Sequence, residues 1–224
     1  MRPKPDLRLY AILDPGLLPA GRDPVEAALA AVRGGATMVQ LRDKRYEARP
    51  VVDLARSLVE ALRPTGVPLL VDDRVDVAMA AGAAGVHLGK DDMAPEDARR
   101  LLGPDAVIGV TVHHPHEADA IDPAVADYAG IGPVYPTRSK DPGDPPLGSG
   151  GLRRLVGHLR ARLPGFPVVA IAGIGPDNAA PVIAAGADGV AVISALFAAE
   201  DVEGAARRLR AVVDAARAER GGTA

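Results

Sequence analysis

Short apolar runs alternate with alanine-rich helical stretches along the whole chain. The runs fall at 7–13, 37–42, 68–72, 85–88, 106–110, 128–132, 167–172 and 189–194. Most are continuously apolar rather than alternating, as strands are when both faces are covered. Between them lie helix-forming stretches at 24–33, 48–62, 75–81, 95–102, 115–121, 151–162, 176–185 and 202–217. Several open with proline in the first turn, as at Asp23-Pro24, Ala94-Pro95 and Gly175-Pro176, where the missing N–H has no helical partner to lose. Eight strand–helix units in 224 residues predict an α/β fold, a single (β/α)8 TIM barrel at its small limit, as one domain over 1–224. A doubly wound open sheet is the alternative, but no GxGxxG follows the first run. An internal echo links Ala80–Val86 to Ala184–Val190, with a weaker copy at Gly34-Gly35-Ala36. Each reads as a helix end, a glycine stop and entry into a strand.

Composition narrows the classes. The 26 basic and 29 acidic side chains give a net charge of -3, which argues against a broad nucleic-acid surface. With no cysteine there are no disulfides, thiolate metal sites or cysteine nucleophile. No apolar run is long enough for a membrane span, and the N-terminus lacks a signal-peptide pattern, so a cytoplasmic protein is expected. There is no Trp and there are only two Phe, so the core must be Ala, Val, Leu and Ile.

In a barrel of this kind chemistry gathers at the C-terminal strand ends. The second run ends Gln40-Leu41-Arg42-Asp43-Lys44, with Gln40 and Arg42 on one face and Leu41 on the other. Two cations and an amide there suit a phosphate, although a solvated charge cluster would look the same. The chain has only four lysines, and Lys44, Lys90 and Lys140 each follow a strand. The third run ends Asp72-Asp73-Arg74 and the fourth Gly89-Lys90-Asp91-Asp92. So many carboxylates at one mouth repel unless a cation sits between them, and Mg²⁺ suits such a site. Helix capping by Asp is the competing account. The fifth ends Thr111-Val112-His113-His114, and His87 lies inside the fourth strand as an expected packed residue. About 18 residues at 133–150 form a long Pro- and Gly-rich active-site loop carrying Thr137, Arg138, Ser139 and Lys140, with Gly148, Gly150 and Gly151 as hinges. The seventh ends Ala172-Gly173-Ile174-Gly175 and the eighth Val192-Ile193-Ser194, where backbone N–H groups commonly hold phosphate. No Ser-His-Asp set appears, so electrostatics rather than a nucleophile is expected to carry the chemistry.

The series VQLRDK (39–44), DDRVDVA (72–78), GVHLGKDDM (85–93), GIGPVYPTRSK (130–140), AIAGIGPDN (170–178) and GVAVIS (189–194) resembles the thiamine phosphate synthase family. The match runs over roughly residues 9 to 200 in order and spacing. The resemblance implies a transferase that joins 4-amino-2-methyl-5-hydroxymethylpyrimidine diphosphate to 4-methyl-5-(2-hydroxyethyl)thiazole phosphate, or its carboxylated form, with release of diphosphate. It implies that Gln40, Leu41, Arg42, Asp43 and Lys44 hold the pyrimidine diphosphate with Asp72, Thr111 and Lys140. Arg42, Lys44 and Lys140 would carry the catalysis, and Asp73 and Asp92 would ligate Mg²⁺. Thr137, Arg138, Ser139, Gly173, Ile193 and Ser194 would hold the thiazole phosphate. Asp72 departs from the Asn common in the family.

A thiazole tautomerase of the sister branch is the nearest alternative, with His113 or His114 as acid–base residue. Another phosphate-binding barrel enzyme and a non-catalytic thiazole-phosphate or thiamine sensor are the others. The expected partners are small-molecule substrates. Oligomeric state is left open, a homo-oligomer included.

Overall fold

The computed structural model describes residues 5–44, 47–137 and 144–222. Eight parallel strands close into a barrel in sequence order: β1 (Leu9–Leu13), β2 (Met38–Leu41), β3 (Leu69–Asp72), β4 (Gly85–Leu88), β5 (Val107–Val112), β6 (Tyr128–Ile131), β7 (Val168–Ile171) and β8 (Gly189–Val192). Pairing of Leu9 with Val190 and Tyr10 with Ala191 closes the ring. The helices are α1 (Pro24–Arg33), α2 (Ala48–Leu62), α3 (Val75–Ala81), α4 (Pro95–Leu102), α5 (Pro115–Asp119), α6 (Gly148–Arg162), α7 (Ala179–Ala184), α8 (Ser194–Phe197) and α9 (Val202–Gly221). None of them is long and apolar enough to cross a membrane.

The two-residue strand period splits the core in two. Leu9, Ala11, Leu13, Leu41, Val71 and Val86 face the helices. Leu7, Tyr10, Met38, Leu70, Tyr128 and Val169 fill the lumen. Large residues are accommodated there by small ones opposite. Tyr128 pairs with Gly109 on the neighbouring strand, and a Cβ at 109 would stand 2.0 Å from the Tyr128 ring carbon Cζ.

The lower end of the barrel repeats one device. Arg99 on α4 meets Asp127, just before β6, at 2.7 Å, and the same carboxylate oxygen accepts the Ile108 N–H of β5. Arg160 on α6 meets Asp188, just before β8, also at 2.7 Å, and Asp188 accepts the Val168 N–H of β7. Each Asp pins a helix to the start of a strand, away from the chemistry.

The structure shifts several expected boundaries. β5 continues to Val112, which makes Thr111 an in-strand residue paired with Gly130. α6 begins at Gly148 because the Leu147 and Gly148 N–H groups bond to Pro133 and Val134 carbonyls, so Gly148, Gly150 and Gly151 form its first turn rather than loop hinges. α7 begins at Ala179, since the Asn178 side chain accepts the Gly175 N–H and holds a turn where a helix starting at Pro176 was expected. α8 is an additional element directly after β8, and α9 runs four residues beyond the expected 217, through Gly221.

Candidate active site

A cavity of about 1100 Å³ opens at the C-terminal mouth of the barrel. Of the expected residues, Gln40, Arg42, Lys44, Asp72, Asp73, Asp92 and Thr111 line it on one side. Thr137, Gly173, Ile193 and Ser194 line it on the other. Arg138, Ser139 and Lys140 lie outside the described residues. Leu41 does not contribute a side chain: it is fully buried on the helix-facing side of β2, because its neighbours Gln40 and Arg42 take the lumen face. Asp43 is not among the cavity-lining residues, because alternation past Arg42 turns it away.

The cationic side is tied to carboxylates. Arg42 pairs through Nη1 with Asp14, and its Nε lies 3.7 Å from Asp72. Lys44 Nζ is 2.9 Å from Asp72 and also pairs with Asp73. Desolvation draws the Lys44 ammonium down, but Asp72 and Asp73 outweigh it and the net shift is upward. Burial and then the charge of Asp73 push the Asp72 carboxyl up, against the pull of Lys44 and Arg42. Asp14 was not singled out in the sequence. It sits at the end of β1, caps the turn at Gly16 and orients Arg42. Lys90 and Asp91 also reach the cavity.

Asp73 holds a left-handed backbone, φ 61°, which is strained for a residue with a Cβ. The turn places its carboxyl against Asp92. Burial and a hydrogen bond shared with Asp73 raise Asp92 to about 6, while the Gly89 N–H at 2.7 Å opposes the shift. Two carboxylates held together at this cost fit a hard divalent cation, which takes one or two carboxylates and completes its shell with water and substrate oxygens. Among the described residues no cluster of three or more His, Asp or Glu is arranged to hold a metal, so the mouth offers such a pair and not an all-protein cage. Asp76 leaves the group to pair with Arg74 at 2.6 Å.

The opposite side is built from backbone. Gly173 has φ 69°, and a Cβ there would stand 2.5 Å from the Pro136 carbonyl oxygen. Only glycine lets β7's end approach the loop after β6 so closely. Asn178 closes this turn through the Gly175 N–H and the Gly173 carbonyl. Ser194 opens α8 at the same rim.

The floor is polar and closed. Gln40, Tyr10, Tyr128, His87 and Thr111 are joined by hydrogen bonds of 2.7–3.1 Å. Burial pushes both phenols up, so both keep their protons. His87 is packed and bonded, as expected. The tyrosines were missed; a signal was available in two of only four Tyr falling inside apolar strands. His113 reaches the cavity, and His114 Nε2 lies 3.2 Å from Asp144, which ties the β5 end to the chain entering α6.

The family model described as thiamine monophosphate synthase matches residues 9–196. A thiamine-phosphate synthase of Agrobacterium fabrum is 49% identical over 213 residues, covering 95% of this chain and 96% of that one. One from Xanthobacter autotrophicus is 50% identical over 217 residues, covering 96% and 100%. The solved thiamine phosphate pyrophosphorylase from Pyrococcus furiosus superimposes with a TM-score of 0.81 at 40% identity, covering 95% of this chain and 98% of that one.

Proposed function

The chain belongs to the thiamine monophosphate synthase family, and from that premise we propose how its barrel mouth carries out the transfer. It is a thiamine-phosphate synthase, a transferase. In our reading the donor is 4-amino-2-methyl-5-hydroxymethylpyrimidine diphosphate and the acceptor 4-methyl-5-(2-hydroxyethyl)thiazole phosphate or its carboxylated form. The observation that carries the reading is the division of one cavity into a cationic, carboxylate-tied side and a glycine-built side.

The pyrimidine ring lies over the polar floor between Gln40 and Thr111. Its diphosphate extends to Arg42 and Lys44, with Lys140 assigned to the same group by its place in the family motif. Arg42 is held in orientation by Asp14. The C–O bond to diphosphate breaks and its electron pair leaves with the diphosphate. The charge left on the methylene carbon is spread into the aminopyrimidine. The thiazole nitrogen lone pair then forms the new N–C bond, and no proton need move. A bound Mg²⁺, held by Asp73 and Asp92, would supply charge neutralisation to the leaving diphosphate. Arg42 and Lys44 add fixed positive charge where negative charge develops, the form of catalysis in which preorganisation matters most.

The thiazole phosphate sits against Gly173, Ile193, Ser194 and Thr137, with Arg138 and Ser139 assigned to the same group by their place in the family motif. The two ends of the cavity thereby hold two anions apart and bring the carbon and nitrogen together. The reading includes a cytoplasmic location and small-molecule partners.

The test is direct. Purified protein, both substrates and Mg²⁺ should yield thiamine phosphate and diphosphate in equal amounts. Thiazole-phosphate isomerisation without diphosphate release would instead assign the sister tautomerase activity.

A further inference from the structure

The floor of the cavity is one continuous hydrogen-bonded chain of five side chains from five different strands: Gln40 on β2, Tyr10 on β1, Tyr128 on β6, His87 on β4 and Thr111 on β5. Its bonds have a direction. Gln40 donates from Nε2 to the Tyr10 hydroxyl oxygen at 2.7 Å. Tyr10 is left with one proton to place, and its remaining neighbour is Tyr128 Oη at 3.1 Å. Tyr128 accepts that proton and sends its own to His87 Nδ1, 2.9 Å away. A neutral imidazole that accepts at Nδ1 carries its proton on Nε2. Nε2 faces Thr111 Oγ1 at 2.9 Å, so Thr111 accepts and turns its hydroxyl proton to the cavity it lines.

Reversing only the inner bonds would leave the Tyr10 proton without an acceptor, although Tyr10 is almost fully buried. Buried polar groups are rarely left in that state. Turning the Gln40 amide over would reverse the entire chain and put the His87 proton on Nδ1. The two arrangements present opposite patterns to a ligand. With Gln40 Nε2 turned to Tyr10, Gln40 keeps its Oε1 as an acceptor and Thr111 offers a donor.

We propose that this chain has a single polarity, set by Tyr10, Tyr128 and His87 as positioning residues, which presents an acceptor at Gln40 and a donor at Thr111 to opposite ends of an aminopyrimidine ring. The inference rests on the reading that the pyrimidine occupies this floor. An amine at one end of the ring donates to Gln40, and a ring nitrogen at the other accepts from Thr111. A 4-oxo analogue brings an acceptor against the Gln40 acceptor, and the site should discriminate against it by about 100-fold or more in kcat/KM.

The test reads the tautomer on the free protein. The chain has five histidines, so ¹⁵N-histidine labelling gives a tractable spectrum, with the His87 ring identified by its loss in His87→Gln. The proposal expects the neutral Nε2–H tautomer at pH 8 in the wild type. In Tyr128→Phe the Nδ1 proton donor is gone, so the tautomers should mix. KM for the pyrimidine diphosphate should rise about 10-fold, the value of one buried hydrogen bond, with kcat within about 3-fold, and discrimination against the 4-oxo analogue should collapse. Tyr10→Phe cuts the same chain one bond earlier and gives the same readouts if Tyr128→Phe fails to fold. An Nδ1–H or charged ring in the wild type overturns the proposal, as does a Tyr128→Phe variant with unchanged tautomer and KM. A wild-type protein that makes no thiamine phosphate would defeat the proposed function instead, and the tautomer would still decide the polarity.

Discussion

Asp72 Oδ2 lies 2.9 Å from the Lys44 ammonium. The same oxygen is 3.7 Å from Arg42 Nε. One buried carboxyl thus engages two of the three cations assigned to the diphosphate, and its charge competes with the substrate. Asp72→Asn should remove that competition while keeping the shape of the side chain, with Arg42 still held by Asp14 and Lys44 by Asp73. KM for the pyrimidine diphosphate should fall about 3-fold, equivalent to about 0.6 kcal/mol, with the fold unchanged. Steady-state kinetics of the variant checks this; a KM that rises would show that Asp72 assists substrate binding.

Asp14 acts through Arg42, to which it is paired in a largely buried contact. Asp14→Ala should leave Arg42 free to swing toward Asp72. The expected loss is about 10-fold in kcat/KM, or about 1.4 kcal/mol of transition-state stabilisation. Arg42→Lys should fall at least as far, because a point charge cannot serve Asp14 and a phosphate together. Equal kinetics in Asp14→Ala and the wild type would remove Asp14 from the account.

The two Arg–Asp pins under the barrel differ in burial. The Asp127 side chain is 9% exposed and that of Asp188 28%. Removing Asp127 leaves the largely buried Arg99 charge with backbone carbonyls alone and takes the acceptor from the Ile108 N–H, at a cost of about 3 kcal/mol. Asp188→Ala should cost less, about 1 kcal/mol, because water reaches its partners. Denaturant unfolding of Asp127→Ala and Asp188→Ala measures both, and catalytic constants below the transition should match the wild type.

Tyr128 takes the space that a side chain at 109 would need. Gly109→Ala should destabilise by about 3 kcal/mol through overpacking. It should also displace the Tyr128 hydroxyl from His87, so activity should drop even at temperatures where the variant is folded. Thermal unfolding and kinetics on the same preparation separate the two effects.

Much of this was legible in the sequence because it is local. Strand order follows from apolar runs, and the placing of Gln40 and Arg42 opposite Leu41 follows from the two-residue period. The motif residues needed only to fall at strand ends. The chain of Tyr10, Tyr128 and His87 was not legible as a network, since its members are joined across the barrel, 118 residues apart in the case of the two tyrosines. Asp14 drew no attention in the sequence for the same reason: its partner Arg42 directly follows the next strand. The start of α7 was misplaced because Pro176 suits a first helical turn, whereas Asn178 holds that segment as a turn by bonding back to Gly173 and Gly175. The extension of β5 to Val112 came from pairing with Ile131, which no single segment displays.

The central claim is that fixed cations and a divalent ion at the Asp73–Asp92 corner together take up the charge of a departing diphosphate. The most direct measurement is product formation by EDTA-treated protein as Mg²⁺ is returned, alongside Asp92→Asn. The account predicts no thiamine phosphate without metal, full recovery on titration in the wild type, and a Mg²⁺ requirement raised at least about 10-fold in Asp92→Asn. Thiamine phosphate formed at an undiminished rate in EDTA, or an identical Mg²⁺ titration in the variant, would contradict it.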